Sequence, residues 1–192
     1  MNATASRSPF ALFFKEFLKH PAMVASMIPS SDKGMERILE KCKWSKANLF
    51  VEYGPGIGNF CEPVLKKLPP NATYIAIDTN EEFVGYLKDT IHDERFHAVV
   101  GSAADVVDII KQHGFDKADY VLSGLPFSNL PEGVGDEIGV ATQKVLRPGG
   151  CFIVYQFTTN CLEHIKPNFN KIEQDRVYWN MPPLHLFWAY KE

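Results

Sequence analysis

A glycine-rich turn between an apolar run and a helix-like stretch constrains this chain more than any other feature. The run Phe50-Val51-Glu52-Tyr53 is followed by three glycines at alternate positions, Gly54, Gly56 and Gly58. Glycine is favoured where the backbone takes a positive φ or where a ligand lies against bare main chain. The segment therefore predicts the first strand of an α/β sheet, a tight turn and the start of the first helix.

A second apolar run that ends in an acid points to a nucleoside site. Ile75-Ala76-Ile77 leads into Asp78, which follows Gly58 by 20 positions. A glycine turn after the first strand and an acid at the end of the second are how α/β folds hold a nucleoside by its ribose. The dinucleotide fingerprint needs a third glycine where Asn59 stands, so the spacing argues against a dinucleotide. The alternative is a structural turn in an unrelated α/β protein.

Strand-like and helix-like patterns alternate along the rest of the chain. Strands are predicted at 48–53, 73–78, 96–100, 118–123 and 151–157, helices at 59–68, 81–90, 105–113 and 133–145, and a short helix near 161–165, with β-rich runs at 171–179 and 184–190. The alternation predicts an α/β fold with a Rossmann-like, mostly parallel, seven-stranded sheet. We expect an N-terminal helical segment at 1–47 and the main domain at 48–192.

The charge is divided unevenly along the chain. Residues 1–50 carry a net charge of +4 and the remainder carries −7. An acidic body is unlike a nucleic-acid binder, so we expect no nucleic-acid partner. No run reaches the roughly 20 apolar residues of a membrane span, and we recognise no secretion signal. The four cysteines form no C-x-x-C pair, so we expect reduced thiols, no metal site and a cytoplasmic protein. The oligomeric state is left open.

The segment 10–20 combines aromatic and basic residues at helical spacing. Four phenylalanines fall within eight positions, and Lys15, Lys19 and His20 occupy another face. One interpretation is an interfacial helix that lies on an anionic membrane with its phenylalanines towards the lipid. The other is a helix packed over the cofactor site, and a lid that docks on lipid would satisfy both. We therefore expect a peripheral membrane contact or a lid here.

The glycine turn, with Glu52 before it and Asp78 after it, resembles motif I of the class I S-adenosylmethionine-dependent methyltransferases. The resemblance implies S-adenosylmethionine as the cofactor and S-adenosylhomocysteine as the product. It places the amino-acid end near Glu52 and the glycines, the ribose at Asp78, and the adenine near Ser102. The implied cofactor-binding residues are Ser31, Glu52, Tyr53, Gly54, Pro55, Gly56, Gly58, Asp78, Thr79, Ser102, Ala103 and Ala104.

The loop after the fourth strand resembles the Asn-Leu-Pro-Phe signature of ribosomal RNA adenine dimethyltransferases. It reads Ser123-Gly124-Leu125-Pro126-Phe127, so Gly124 stands in the asparagine place. A glycine offers only backbone, which favours an acceptor nitrogen on a flexible aliphatic chain over a planar base amine. We expect the loop to lie beside the transferable methyl, with Pro126 and Phe127 walling the site against water.

Several segments together resemble the bacterial phospholipid N-methyltransferases. They are Phe17-Leu18-Lys19-His20-Pro21, Ile28-Pro29-Ser30-Ser31, the glycine turn, and Ser123-Gly124-Leu125-Pro126-Phe127. The resemblance implies a phosphatidylethanolamine-like amine as substrate. An aliphatic amine has a pKa near 10.4 and must lose its proton before it can attack. The candidate bases are His20, Tyr155 and His185, with His20 the first choice. The alternatives are an RNA adenine N-methyltransferase, a small-molecule amine methyltransferase, and a cofactor-binding protein without chemistry.

Overall fold

The computed structural model describes residues 32–178 and 183–192. Its strands are β1 (Leu49–Tyr53), β2 (Thr73–Asp78), β3 (Phe96–Val100), β4 (Ala118–Ser123), β5 (Leu146–Gln156), β6 (Lys171–Val177) and β7 (Leu184–Tyr190). Its α-helices are α1 (Asp32–Leu39), α2 (Cys61–Lys67), α3 (Glu81–Thr90), α4 (Val106–Gln112), α5 (Val134–Val145) and α6 (Cys161–Ile165). Short 3₁₀ turns lie at Trp44–Lys46, Ala103–Asp105 and Phe127–Asn129.

The described strands form one sheet in the order β3-β2-β1-β4-β5-β7-β6. The first five of these run parallel, and β7 is antiparallel to both β5 and β6. The predicted α/β, Rossmann-like, mostly parallel sheet of seven strands is therefore confirmed. The order reverses between β1 and β4, and ligands bind at such a switch point, beyond the carboxyl ends of the strands.

Successive side chains of each strand alternate between the two faces of the sheet, and this divides the core into two halves. In β1, Phe50 contributes to the cluster that includes α1, α2 and α3, whereas Val51 contributes to the cluster that includes α4, α5 and α6. Successive strand side chains point to opposite faces, so both faces need an apolar cover. The helices that flank the sheet provide that cover.

The part of the N-terminal segment that the structure describes belongs to the same core. Ile38, Leu39, Cys42 and Ala47 are buried with the sheet residues, and the indole Nε1 of Trp188 donates to the Ile38 carbonyl at 2.9 Å. The division at residue 47 stays a prediction, and the aromatic segment 10–20 lies outside the described residues. Among the residues that are described, no helix is long and apolar enough to cross a bilayer.

The start of β5 differs from the prediction. The predicted strand begins at residue 151, but β5 begins at Leu146 with an irregular register against β4. Gly149 takes a φ of +74°, and its N–H donates to the Lys191 carbonyl at 2.7 Å. The start of β5 is therefore hydrogen-bonded to Lys191, and this long-range pairing is not encoded in the local sequence.

Candidate active site

A cavity of about 390 Å³ lies at the switch point, at the carboxyl ends of β1, β2, β3 and β4. The structure brings eight of the predicted site residues to its wall: Gly54, Asp78, Thr79, Ser102, Ala103, Gly124, Leu125 and Pro126. They come from four separate loops, because parallel strands present their carboxyl ends to the same edge of a sheet. The volume is within the range of small-molecule sites.

The turn after β1 requires glycine for conformation and for space. Gly54, Gly56 and Gly58 have φ values of +66°, +56° and +84°, a region that disfavours other residues. A Cβ on Gly54 would lie 2.8 Å from Cδ2 of Leu125, and one on Gly58 would lie 2.6 Å from Cδ2 of Leu87. The Gly54 N–H also donates to the Ile77 carbonyl at 2.9 Å. The turn is thus packed tightly between α3 and the loop after β4, and it lines the cavity at Gly54, which has no side chain.

Asp78 places a carboxylate on the cavity wall beside this turn. Its Oδ1 accepts the Asn80 N–H at 2.9 Å and its Oδ2 accepts the Gly56 N–H at 3.4 Å. Burial raises the pKa of Asp78, and the backbone N–H groups oppose that shift. Each carboxylate oxygen has lone pairs left for further donors. The two oxygens can therefore accept a pair of ribose hydroxyls in charge-assisted bonds.

The loop after β3 forms the neighbouring wall. The Ser102 hydroxyl accepts the Ala104 N–H at 3.2 Å and caps the turn Ala103–Asp105. The Gly101 N–H donates to the Asp78 carbonyl at 3.0 Å. These bonds hold Ser102 and Ala103 next to Asp78; if Asp78 binds a ribose, the adenine would lie beside them.

Glu52 and Tyr53 directly precede the glycine turn, and their buried side chains do not line the cavity. The Glu52 side chain is 1% exposed, and its Oε2 accepts a hydrogen bond from the Tyr74 hydroxyl. Burial raises the pKa of Glu52 to about 7, the Tyr74 hydrogen bond opposes this, and the charge of Asp78 adds to it. On the other face of the sheet, the Tyr53 hydroxyl pairs with the Thr142 hydroxyl at 3.1 Å. The amino-acid end of a cofactor would meet the glycine backbone before either side chain.

The other predicted site residues lie away from the cavity wall or outside the described part of the chain. Pro55, Gly56, Gly58, Ala104 and Phe127 are not among the lining residues. Phe127 is buried and stacks on the ring of His164, with ring centroids 5.7 Å apart. The expected wall at the loop after β4 is therefore formed by Leu125 and Pro126. Ser31 and His20 fall outside the described residues.

The remaining candidate bases are poorly suited to that role. His185 lies on β7 beside Phe187 and does not line the cavity. Tyr155 is 6% exposed, and burial raises the pKa of its hydroxyl far above the ordinary value. A phenol that remains protonated throughout the neutral range cannot accept a proton from an ammonium group.

Sequence reasoning missed the apolar part of the cavity wall. Phe83, Leu130, Pro131, Val134 and Ile138 line the cavity together with Leu125. The periodic apolar positions of α5 signal that one helical face is covered. That signal cannot distinguish burial against the sheet from exposure to a ligand cavity, because the period is the same in both.

No cluster with metal-binding character occurs in the described ranges. Within residues 32–178 and 183–192, no three His, Cys, Asp or Glu side chains come together in a way that could hold a metal ion. All four cysteines are free and buried. The residues that line the cavity are the carboxylate Asp78, the polar residues Thr79, Asn80, Ser102 and Asn129, three glycines and apolar residues.

Comparison with known proteins agrees with this geometry. Residues 51–152, more than half of the chain, match the methyltransferase domain family. The ornithine lipid N-methyltransferase of Singulisphaera acidiphila is 29% identical over 144 residues, which cover 74% of this chain and 75% of that protein.

Solved structures share the fold at low identity. Precorrin-6y C5,15-methyltransferase from Geobacter metallireducens superposes with a TM-score of 0.68 at 18% identity, covering 85% of this chain and 90% of that one. The 16S rRNA N2 G1207 methyltransferase of T. thermophilus, solved with AdoMet and guanosine, gives a TM-score of 0.60 at 14% identity, covering 90% of this chain and 43% of that one.

The bare glycine backbone, the carboxylate of Asp78 and the capped turn at Ser102 fit a sulfonium nucleoside at the switch point. The fold and the site define an S-adenosylmethionine-dependent methyltransferase, so the expected cofactor and enzyme class are confirmed. Through residues 51–152 the chain belongs to the methyltransferase domain family.

Proposed function

We propose that this enzyme methylates the amine of a phosphatidylethanolamine-like lipid headgroup at the surface of an anionic membrane. The relative from Singulisphaera acidiphila, named as an ornithine lipid N-methyltransferase, supports a lipid amine as the acceptor. The observation that carries the proposal within this chain is the character of the acceptor side of the cavity.

That side is mostly apolar: Gly124 has no side chain, and Asn129 is the one polar residue among Gly124, Leu125, Pro126, Asn129, Leu130, Pro131, Val134 and Ile138. Enzymes that act on a nucleobase read its edge with hydrogen-bonding groups and stack on its plane. An aliphatic amine needs neither of these, and the carbon chain next to it favours contact with apolar side chains. The lining therefore suits a headgroup amine better than a base amine.

The residues around the cavity would hold the cofactor and prepare the acceptor. The backbone at Gly54 and the carboxylate of Asp78 would bind it, with Ser102 and Ala103 beside its base. Bound S-adenosylmethionine supplies a methyl group on a sulfonium sulfur, which a nitrogen lone pair accepts while the carbon–sulfur electron pair stays on sulfur. Leu125 and Val134 exclude water, and desolvation lowers the pKa of an aliphatic ammonium group from its ordinary value of about 10.4. The proton that the amine loses leaves to water.

The membrane part of the proposal depends on residues 10–20. Four phenylalanines and two lysines at helical spacing suit the boundary of an anionic bilayer. We expect vesicles with anionic lipid to co-sediment the full chain and to release a variant that lacks residues 1–20. Equal sedimentation of both chains would remove the membrane contact from the proposal, together with the peripheral location that it implies.

The acceptor is tested by incubating the enzyme with labelled S-adenosylmethionine and vesicles that contain phosphatidylethanolamine, phosphatidylserine or ornithine lipid. We expect label in at least one extracted lipid, and no label in free ethanolamine or free ornithine. Labelling of the free amines alone would support a small-molecule methyltransferase. An enzyme that binds the cofactor but labels none of these acceptors would refute the proposal.

A second candidate, an RNA adenine methyltransferase, is favoured by one observation. A cleft of about 400 Å³ near the amino ends of β4 and β5 is lined by five cationic side chains: Lys41, Lys43, Lys46, Arg147 and Lys171. Arg147 is paired with Asp119, and Lys41 with Glu173. The cleft lies at the opposite edge of the sheet from the cavity, so it could anchor RNA but could not hold the reacting base. Salt-dependent RNA binding together with label in adenine would support this candidate in place of the lipid.

A further inference from the structure

We infer that Tyr155 is the residue that contacts the acceptor nitrogen, by accepting its N–H through the hydroxyl oxygen. This inference rests on the proposed amine N-methylation. It assigns the polar contact that the glycine at position 124 cannot make, and it predicts which of several successive methyl transfers depends on that contact.

The first step is the placement of the phenol beside Gly124. Val154 of β5 pairs with Ser123 of β4, so Tyr155 follows at the end of the ladder, next to Gly124. A Cβ built on Gly124 would overlap the Tyr155 hydroxyl oxygen and lie 2.8 Å from Cζ. The phenol therefore occupies the space that a side chain at position 124 would take. Gly124 lines the cavity and Tyr155 does not, so the hydroxyl oxygen lies at the cavity wall, beside the bare Cα of Gly124.

The second step is the position of that hydroxyl relative to the cofactor turn. The Gly124 N–H donates to the Tyr53 carbonyl at 3.3 Å, and Gly54 is packed against Leu125. The loop after β4 and the glycine turn are therefore in direct contact. The phenol stands behind this junction, with its ring against Phe60 at a centroid distance of 5.2 Å.

The third step is that the hydroxyl has unused hydrogen-bonding capacity. It makes no hydrogen bond with any residue in the ranges 32–178 and 183–192. The only fully enclosed side-chain polar atom without a partner in those ranges is Oε1 of Gln156. The Tyr155 oxygen is not among such enclosed atoms, and it lies beside Gly124. A tyrosine hydroxyl that is buried to this degree normally finds a partner, and a bound acceptor would supply one.

The fourth step is the chemistry. A neutral phenol does not remove the proton of an ammonium group, but its oxygen can accept an N–H from a neutral amine. That bond turns the nitrogen lone pair away from the phenol and towards the methyl donor, which is an orientational contribution. A primary amine offers two N–H groups, a secondary amine offers one, and a tertiary amine offers none. The contribution of Tyr155 should therefore disappear at the third transfer.

The experiment compares the wild-type enzyme with Tyr155→Phe on phosphatidylethanolamine and on its N-methyl and N,N-dimethyl forms, each supplied ready-made in vesicles. We expect kcat/KM to fall about 3- to 10-fold on the first two lipids, the effect of one hydrogen bond, and to stay unchanged on the third. Where the dimethyl lipid is not turned over, its inhibition constant as a competitor is measured instead, and it should be unchanged. Tyr190→Phe is the matched control, because it removes one hydroxyl at the far edge of the sheet, where Tyr190 lines the cationic cleft.

An equal loss on all three lipids would indicate a structural role and overturn the inference, as would no loss on any of them. The geometry is checked without substrate by a double-mutant cycle. Gly124→Ala should be destabilising, and less so in the Tyr155→Phe background, because part of the overlap has been removed. Additive effects would contradict the placement. If the wild-type enzyme methylates no amine lipid, the proposed function fails and the role of Tyr155 falls with it.

Discussion

The buried carboxyl group of Glu52 should make folding stability depend on pH. The side chain is 1% exposed, and burial raises its pKa from the ordinary 4.5 to about 7. Between these values the folded protein holds a proton that the unfolded chain has released. Stability from this group is fully present below about pH 4.5, falls as pH rises, and levels off above about pH 7, with a total change of about 3 kcal/mol.

The substitution Glu52→Gln removes the ionisable group and keeps its size. Tyr74, which donates to Oε2 of Glu52, can donate to the amide oxygen instead. The variant should therefore lack this part of the pH dependence and become more stable than the wild type above pH 7. The measurement is urea unfolding followed by tryptophan fluorescence from pH 4.5 to 8, without cofactor. The difference in unfolding free energy between variant and wild type should grow by about 3 kcal/mol across that range.

The matched control is Glu62→Gln on α2. Glu62 is exposed and paired with Lys66, and this contact lowers the pKa of its carboxyl. Its substitution should leave the shape of the stability curve almost unchanged between pH 5 and 8. Parallel curves for wild type and Glu52→Gln would show that the Glu52 carboxyl ionises normally in the fold, and would refute the reasoning.

Four further substitutions, one of them a control, test the cavity and the residues packed around it. Asp78→Asn should weaken S-adenosylmethionine binding roughly 10- to 100-fold in calorimetry, the effect of losing hydrogen bonds to a charged group. The affinity of the wild type should fall at acidic pH, because burial raises the pKa of Asp78. The affinity of the variant should not show this pH dependence. Gly58→Ala should lower the unfolding free energy by about 1–3 kcal/mol, because residue 58 has a φ of +84° and its new Cβ would meet Leu87. The control is Gly85→Ala on α3, where the new Cβ has open space around it; it should raise the unfolding free energy by about 1 kcal/mol. Gln156→Glu should replace the donor to the Leu125 carbonyl with a carboxylate, lowering the melting temperature at pH 8 more than at pH 5; equal melting temperatures in wild type and variant at pH 8 would contradict that role.

The strands that local sequence predicts well are those with apolar runs bounded by turn residues. β2 and β4 occur where they were predicted, at Thr73–Asp78 and Ala118–Ser123. The predicted start of β5 was wrong. Gly149 is locally typical of a turn, but its N–H donates to the carbonyl of Lys191, which is distant in sequence. Long-range pairing of this kind overrides local turn chemistry.

The residues of the candidate site were also predictable only in part. Gly54, Asp78 and Ser102 were predictable because each lies at or just after the carboxyl end of a parallel strand, and those ends converge on one crevice. Glu52 and Phe127 are adjacent to such positions, yet their side chains turn into the interior. Which face of a strand or loop meets a cavity depends on the elements packed against it.

By itself the sequence determined the fold class, the cofactor and the loops that line the cavity. Strand–helix periodicity, the glycine turn and one acid at a strand end are local patterns with specific physical requirements. Only the tertiary structure decided that Tyr155 lies beside Gly124, that the Glu52 side chain is buried, and that α5 lines the cavity with apolar side chains. Those relations join residues tens of positions apart, and they arise from side-chain packing that no local pattern encodes.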